Sequence, residues 1–453
     1  MSKTLEKRPR ALLLVPPIYD FAAYDMYARP FALLRLGLWL KQGGYEVELL
    51  NSLDYTDAST AKFLGQIQRK SDGSGKFFRQ IVAKPKALKD IPRYFARYGI
   101  LSEVLQKRIA DFRPDLVLIS SGMTYWYLGV KEAVDLVKSH SPQAKVVLGG
   151  IYATLCPEHA LKTCGPDSLV RGRALPELAQ VLAKWGLPVP QGAIPVEGLL
   201  CPQGYLGAAA IRLNEGCPFS CSYCASSKVA GPFRPGQGRQ LFNWIKRLHV
   251  KLGIRDYCFY DDALLAGPGE EFKSFLQEVI TSGLRLRFHI PNGLHVALIT
   301  EELAWLLKRA GVVDFKLGFE SAAEDFHQTY DKKYRLKMFG EAIAKLRHGG
   351  FKPEEIAVYV LAGLPFQDPE EVETSIRFAA GFGVKVYVAE FSPIPGTEIW
   401  ERCIAASRFP IAEEPLFHNN SIFPLQWEKF GPKEMHALKQ LAYKLTRLAP
   451  LEC

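Results

Sequence analysis

Three cysteines, Cys217, Cys221 and Cys224, lie in one short run that reads Gly-Cys-Pro-Phe-Ser-Cys-Ser-Tyr-Cys over residues 216–224. Thiolates are the usual ligands of iron-sulfur clusters, and a 4Fe-4S cluster is usually held by four of them. Three thiolates from one loop, with no obvious fourth nearby, would leave one iron open, as a catalytic zinc keeps an open position. The spacing therefore predicts a cluster whose open iron is the reactive position.

Two other uses of these cysteines stay open, a zinc knuckle and three unrelated buried thiols. Zinc sites favour paired CxxC spacing, and the chain has no second pair. The other cysteines are scattered and do not suggest a disulfide framework: Cys156, Cys164, Cys201, Cys258, Cys403 and Cys453. Free thiols are typical of a reducing compartment. We therefore expect an oxygen-sensitive cytoplasmic protein. No apolar stretch approaches the length that a membrane span needs, so we expect no transmembrane helix.

The cysteine run resembles that of the radical S-adenosylmethionine (SAM) enzymes, in which an aromatic residue precedes the last cysteine as Tyr223 does here. The resemblance implies that the open iron binds the amino and carboxylate groups of SAM. It also implies an electron donor such as flavodoxin or ferredoxin, whose electron cleaves the sulfonium. The 5'-deoxyadenosyl radical released in this way would take a hydrogen atom from an organic substrate.

After a Pro- and Gly-containing segment, six strand-helix units predict a barrel or part of one. The expected strands are Ala208 to Leu213, Tyr257 to Tyr260, Leu286 to Ile290, Phe315 to Phe319, Ile356 to Leu361 and Val386 to Phe391. Polar residues follow several of them, and in such barrels the strand ends carry the chemistry. The radical SAM resemblance assigns Asp261 or Asp262 to the methionine amino group or ribose, Asn292 and Glu320 to ribose and methionine, and Ile394 and Pro395 to adenine.

The N-terminal half alternates apolar strands with helices, which predicts a parallel α/β sheet with ligands beyond the strand ends. Its motifs, DLVLISSGMTYW and VVLGGIYATLCPEH, resemble the Rossmann-like cobalamin-binding domain that precedes many radical SAM modules. The resemblance implies cobalamin contacts from Ser120, Ser121, Gly149, Gly150 and Tyr152. The chain lacks the Asp-x-His-x-x-Gly motif that supplies a histidine to cobalt. A degenerate domain that keeps the fold for docking is the alternative.

We predict the following domains: 1–187 Rossmann-like and cobalamin-binding, 188–204 linker, 205–400 partial (β/α)6 radical SAM barrel, and 401–453 a helical capping segment. Most of the net charge of +10 comes from residues 56–100, which contain ten Lys or Arg and only three Asp. Interleaved aromatics would suit RNA or anionic lipid, and phosphate binding is also open. We instead expect a solvated helical insertion whose aromatics pack on the domain, without stable nucleic-acid association.

The leading hypothesis is a cobalamin-dependent radical SAM methyltransferase, with SAM serving both as methyl donor and as radical source. A radical SAM enzyme that closes a ring or forms a C–C bond without methyl transfer is the second hypothesis. A cobalamin or cluster-binding sensor without turnover is the third. His289, His295 and His418 are candidate acid-base groups or cobalt neighbours. Nothing in the sequence identifies the substrate.

Overall fold

The computed structural model describes residues 8–194, 202–267, 269–331, 333 and 335–448. The chain forms two compact units, residues 1–210 with 250–254, and residues 211–249 with 255–453. Residues 195–201 of the expected linker, with Cys201, lie outside the described residues, as does Cys453. The predicted domain boundaries at 187, 204 and 400 stay predictions.

The described residues before position 195 form ten strands, five of which make a parallel sheet. They are β1 (Arg10–Val15), β2 (Ile18–Asp20), β3 (Tyr24–Asp25), β4 (Glu46–Asn51), β5 (Gly75–Lys76), β6 (Arg79–Val82), β7 (Phe95–Tyr98), β8 (Leu116–Ser121), β9 (Lys145–Gly150) and β10 (Ser168–Leu169). The sheet order is β10-β9-β8-β1-β4. The order reverses between β1 and β8, and such a switch point is where doubly wound sheets bind ligands.

Seven helices belong to this unit: α1 (Phe31–Gln42), α2 (Ala58–Leu64), α3 (Ser102–Phe112), α4 (Tyr127–His140), α5 (Ile151–Leu155), α6 (Pro157–Cys164) and α7 (Ala174–Lys184). Apolar residues of α1 and α7 pack on the sheet around Leu13, Trp39 and Leu178. Strands covered by helices read as continuous apolar runs, which is why β1 and β8 were predictable.

The basic segment 56–100 is not the helical insertion that its spacing suggested. Only α2 is an α-helix there, whereas β6 and β7 form an antiparallel sheet with β2. Phe77, Phe78 and Phe95 are buried as expected, but Phe63 and Tyr94 are exposed. All four residues of β7, Phe95–Tyr98, are buried, including Arg97, so the burial of its aromatics does not follow a helical spacing.

The second unit contains the six predicted barrel strands: β11 (Ala208–Ile211), β12 (Asp256–Phe259), β13 (Arg287–His295), β14 (Val312–Glu320), β15 (Ala357–Ala362) and β16 (Lys385–Glu390). Their order in the sheet is β11-β12-β13-β14-β15-β16, and the pairs from β12 to β16 are parallel. The first three residues of β11, residues 208–210, belong to the first compact unit. Consecutive parallel strands are the arrangement of a (β/α) barrel.

The helices of this part of the chain are α8 (Ser226–Ala230), α9 (Gly238–Leu252), α10 (Glu270–Ser282), α11 (Glu301–Ala310), α12 (Glu324–Phe326), α13 (Lys337–His348), α14 (Pro369–Ala380), α15 (Trp400–Ala406) and α16 (Pro432–Leu448). A π-helical turn, His327–Asp331, follows α12. The last helix packs against α14 and β16, the edge strand. It therefore covers an edge that would otherwise be open to pairing.

Candidate functional site

The three cysteines lie in the loop that follows β11, as the sequence predicted. Cys217 and Cys221 are partly buried and Cys224 is exposed. Burial, opposed by the Lys333 charge and assisted by the charges of Cys224, Asp331 and Cys217, raises the pKa of the Cys221 thiol to about 11. Burial likewise raises the pKa of Cys217, with a contribution from Cys224. The thiols thus lie close enough to interact electrostatically, and bound iron would hold them as thiolates.

Backbone N–H groups already point at two of the sulfurs. Ser226 N donates to Cys224 Sγ at 3.4 Å, and the Phe219 N–H bonds to the Cys217 thiol. Hydrogen bonds to cluster sulfurs are among the features that set reduction potentials. Among the described residues, no three His, Cys, Asp or Glu side chains form a site for a single metal ion. The donor set fits an iron-sulfur cluster.

Two backbone hydrogen bonds anchor the middle of the cluster loop. Ser222 N donates to Tyr330 O at 2.8 Å, and Ile399 N donates to Ser222 O at 3.2 Å. Tyr330 belongs to the π-helical turn, a feature that often marks functional sites. The loop also begins at Gly216, whose φ of +74° and closeness to Gly231 O exclude a side chain. The thiols are therefore held by a preorganised backbone.

Asp261, predicted to bind SAM, instead holds the start of the cluster loop. Its carboxylate accepts hydrogen bonds from Leu213 N at 3.1 Å and Asn214 N at 2.5 Å, and the residue is 2% exposed. Burial raises its pKa to about 7 even though both N–H groups oppose that shift. Because both oxygens are engaged by the backbone, the structure assigns Asp261 to positioning the loop rather than to SAM.

The neighbouring Asp262 is exposed and faces the cluster loop. Its carboxylate bonds to the Ser226 side chain, and its charge raises the pKa of Cys217. Desolvation by the surrounding protein raises the pKa of Asp262 itself. The hydrogen bond with Ser226 and the charge of Arg212 partly offset this shift. Of the two predicted aspartates, Asp262 is the one whose carboxylate is accessible beside the cysteines.

Asn292 and Glu320 lie at irregular positions of neighbouring strands. Asn292 lies within β13 rather than after it, in the register shift between Ile290 and Leu294, and donates to Asp261 O at 2.8 Å while remaining exposed. Glu320 ends β14 at a φ of +64°, beside a register shift. A left-handed non-glycine residue is strained, and such strain is concentrated at functional sites. The Asn292 carboxamide and the Glu320 carboxylate are groups that can hydrogen-bond to a polar ligand.

Lys333 was missed in the sequence and lies beside Glu320. Its Nζ is 3.7 Å from Glu320 Oε1 and 5.9 Å from the centroid of the Tyr223 ring, and its side chain is 13% exposed. Its ammonium also interacts with the Cys221 and Cys224 charges. The sequence signal for this residue was the pair of lysines at 332–333. Such a pair is also typical of a solvent-exposed surface, so it did not indicate a site.

Several buried polar atoms beside the cysteines have no hydrogen-bond partner within the described part of the chain. They are Ser222 Oγ, Tyr223 Oη and His295 Nδ1. The His295 ring stacks on Phe219 at 4.2 Å, and burial lowers its pKa to about 4. A buried polar atom without a partner is costly in free energy, so each one calls for an explanation. A bound polar ligand would supply the missing partners.

The other two candidate histidines have structural partners. His289 Nε2 lies 2.8 Å from Asp256 Oδ1, and His418 Nε2 lies 2.8 Å from Ile411 O. Ile394 and Pro395 form a turn closed by Thr397. Gly396, next in that turn, lies against Lys228 in α8, directly after the cluster loop. The structure therefore brings the predicted adenine-binding turn close to the cysteines.

In the first unit, small residues end two neighbouring strands. Ser120 pairs with Gly149 and Ser121 with Gly150 at the ends of β8 and β9. Gly150 has a φ of +87°, and a Cβ there would lie 2.5 Å from Ser121 O. Only glycine fits such a position. At the carboxyl ends of β8 and β9 the side chains are therefore small or absent, as a bulky ligand beyond the strand ends requires.

Tyr152, predicted to contact cobalamin, is fully buried. Its hydroxyl bonds to His159 Nδ1 at 2.7 Å, and its ring stacks on Tyr127 at 5.8 Å. The residue is in α5, whose inner face packs on the sheet. The structure assigns this side chain to the core, which is a correction to the expectation.

Comparisons with known proteins agree with both candidate sites. Residues 211–379 match the model of the Radical SAM superfamily, and residues 94–182 match that of the B12 binding domain. An uncharacterized methyltransferase of Pyrococcus horikoshii is 25% identical over 363 residues, covering 72% of this chain and 74% of the relative. The anaerobic magnesium-protoporphyrin IX monomethyl ester cyclase of Cereibacter sphaeroides is 23% identical, covering 61% of this chain and 51% of that protein.

A solved structure shares the fold over nearly the whole chain. It is the radical S-adenosylmethionine methyltransferase TsrM from Kitasatospora setae, with cobalamin and a [4Fe-4S] cluster bound. The TM-score is 0.67 at 15% identity, and the match covers 97% of this chain and 89% of that one. The cysteine loop, the six-stranded sheet and the two family matches together show that the chain carries a radical SAM domain at residues 211–379 and a B12 binding domain at residues 94–182.

Proposed function

We propose that this enzyme is a cobalamin-dependent methyltransferase that uses SAM cleavage at a 4Fe-4S cluster to methylate carbon in an organic substrate. The observation that carries the proposal is the presence in one chain of both sites. A three-thiol loop follows the first barrel strand. Two strands that end in serine and glycine lie in the region that matches a B12 binding domain. When bound, the cluster would supply the electron that cleaves SAM, and cobalamin would carry the methyl group.

The residues of this chain would bind and orient the reactants. Cys217, Cys221 and Cys224 would hold three irons and leave the fourth open to SAM. Asp261 would fix the loop, because its carboxylate holds Leu213 N and Asn214 N. Asp262, Asn292 and Glu320 offer oxygen acceptors suited to ribose hydroxyls or an ammonium. Ile394 and Pro395 would border adenine, and Ser120, Ser121, Gly149 and Gly150 would admit cobalamin.

An electron donor such as flavodoxin or ferredoxin and an organic substrate complete the proposed reaction. We also propose a cytoplasmic, oxygen-free setting, because the free cysteines and the cluster would not tolerate oxidation. Among the described residues, no helix is long and apolar enough to cross a membrane.

The test begins with protein purified without oxygen. Iron, sulfide and corrinoid are measured, then SAM, hydroxocobalamin, a strong reductant and a substrate panel are added. We expect about four iron per chain, stoichiometric corrinoid uptake, and both 5'-deoxyadenosine and S-adenosylhomocysteine. Formation of 5'-deoxyadenosine without S-adenosylhomocysteine across the panel would contradict methyl transfer.

The cyclase relative favours a second candidate, a radical SAM reaction that closes a ring or forms a C–C bond without methylation. Methylation consumes two SAM molecules per product, one as methyl donor and one as radical source. Cyclisation needs only the radical source. The ratio of S-adenosylhomocysteine to 5'-deoxyadenosine therefore separates the two, being close to one for methylation and close to zero for cyclisation.

A further inference from the structure

The outer edge of strand β6 is open to a further strand. β6 lies at one edge of the sheet β2-β7-β6 and pairs only with β7 among the described residues. Next to this ladder, Gly99 N donates to Phe78 O. Because hydrogen-bonded and non-hydrogen-bonded pairs alternate along an antiparallel ladder, the backbone N–H and C=O groups of Arg79 and Ile81 point away from β7. Within the described part of the chain, no residue bonds to these groups.

This edge is firmly supported and exposed to solvent. All four residues of β7 are buried. Arg97 in β7 holds Glu132 of α4 through two hydrogen bonds, Nη2 to Oε1 at 2.8 Å and Nε to Oε2 at 2.9 Å. Ile81 is 64% exposed although it is a large apolar residue. A supported strand with open backbone groups is a template for an extended peptide, which binds by adding a strand to the sheet.

Positive charge surrounds the same edge. Residues 76–94 contain six Lys or Arg and one Asp. Four of these cations are exposed and form no ion pair with a described carboxylate: Lys76, Arg79, Lys86 and Lys89. Charges of one sign on an edge strand deter pairing with a second copy of the same edge. They favour a partner of the opposite sign, which they would also steer toward the strand.

A cavity of about 550 Å³ lies beside the end of β6. Its lining includes Ala83 and Pro85, which follow β6 in the chain, Phe95 of β7 and Leu128 of α4. A strand that paired with β6 and continued past its end would pass this cavity, whose apolar wall would accept a side chain. In strand addition, main-chain hydrogen bonds supply affinity and pockets for side chains supply specificity.

We propose that the outer edge of β6 binds an extended acidic peptide segment of another protein by strand addition. The proposal concerns the N-terminal unit and does not depend on the proposed methyl transfer. The main chain of the segment would pair with Arg79 and Ile81, and its carboxylates would neutralise the surrounding cations. The same charge would attract RNA and anionic lipid, but neither carries the alternating N–H and C=O groups that match a strand edge. The open backbone therefore favours a peptide over both.

The test measures binding of fluorescent probes to the full chain by anisotropy. The main probe is a pool of short peptides in which Glu or Asp alternates with varied apolar residues. The first comparison is the same pool with N-methyl groups on alternate backbone nitrogens, which cannot donate. Loss of one or two main-chain hydrogen bonds should weaken binding by about 3- to 30-fold. A second comparison pool, with Lys in place of Glu and Asp, should not bind.

Ile81→Pro is the matching change in the protein, because it removes one outward N–H and leaves the groups that face β7. It should weaken binding of the acidic pool by about 3- to 10-fold. Ile81→Thr keeps that N–H, so it is the control and should bind nearly as the unaltered protein does. Joint replacement of Arg79, Lys86 and Lys89 by Gln should weaken binding severalfold and reduce its dependence on salt.

Equal binding of the methylated and unmethylated acidic pools would overturn the proposal, as would no binding of either. Poly(U) RNA and phosphatidylserine vesicles are the remaining probes. If either binds more tightly than the acidic pool and loses binding when the three cations are replaced, the basic surface serves that partner and the proposal is wrong. If circular dichroism shows that Ile81→Pro is unfolded, the two acidic pools on the unaltered protein decide the question.

Discussion

The strand ends of the two units are built from opposite kinds of residue. In the barrel unit they carry thiols, carboxylates and a buried lysine, and Glu320 is held in left-handed backbone. In the N-terminal unit they carry serine and glycine, and Gly150 packs directly on Ser121 O. Charged side chains suit a small ionic ligand and a cluster, whereas small or absent side chains suit a large ligand that needs room. The comparison indicates that the first site depends on specific functional groups and the second on shape.

The largest effect is expected for Cys221→Ser, which tests the dependence of the barrel site on its functional groups. We expect iron to fall from about four per chain to less than one, because three cysteine thiolates are needed to hold the cluster. Corrinoid uptake should not change, because the N-terminal unit contributes none of these thiols. Cys156→Ala, at a half-buried cysteine of the N-terminal unit, is the control and should keep its iron. Metal analysis and UV-visible spectroscopy give both values, and full iron in Cys221→Ser would contradict the site.

Gly150→Ala tests the importance of shape in the N-terminal unit. Gly150 has a φ of +87° and a ψ of −164°, a region that is essentially confined to glycine and costs other residues about 1–3 kcal/mol. The added Cβ would also lie 2.5 Å from Ser121 O. We expect corrinoid binding to weaken by about tenfold or more, since a displacement costing about 1.4 kcal/mol has that effect. Iron content should remain normal.

Gly165→Ala is the matched control for this change. Gly165 has a similar left-handed φ of +63°, but an added Cβ meets no atom within 4 Å. The substitution should therefore lower the free energy of unfolding without affecting corrinoid binding. Equal loss of corrinoid in both variants would show that backbone strain, rather than the strand-end shape, is responsible.

Asp261→Asn and Asp262→Asn separate a positioning carboxylate from an accessible one. Asparagine has one acceptor oxygen, so Asp261→Asn cannot accept from both Leu213 N and Asn214 N, a loss of about 1.5–3 kcal/mol for a charge-assisted bond. We expect partial loss of iron. Asp262→Asn should keep its iron and weaken SAM binding severalfold. The assignment is wrong if the two variants exchange these effects, as measured by iron content and calorimetry.

The smallest expected effect is that of Tyr152→Phe. The change removes the hydroxyl bond to His159 Nδ1 and should lower the free energy of unfolding by about 1 kcal/mol. Corrinoid binding should be unaffected, because the side chain is fully buried in the core. Thermal unfolding and corrinoid titration measure the two quantities. A selective loss of corrinoid binding would restore the role that the sequence suggested for Tyr152.

Local patterns account for what could be predicted. The strands were identifiable because buried parallel strands read as apolar runs, and the segment expected to be helical at the C-terminus contains the helix Pro432–Leu448. The cysteine spacing alone indicated the cluster loop, since its ligands are close in the chain. The basic segment was misassigned because aromatics spaced by three or four residues also fit alternating short strands with turns.

The roles of individual polar residues were decided by tertiary structure. Asp261 and Asp262 are neighbours of one type, yet Asp261 accepts from the loop backbone while Asp262 bonds to the Ser226 side chain and stays exposed beside the cysteines. Lys333 comes beside Cys221 only because the π-helical turn packs on the cluster loop through Tyr330. Such contacts join residues about a hundred positions apart, and no local pattern encodes them. The sequence by itself determined which chemistry the chain carries, and the folded structure determined which side chains can reach it.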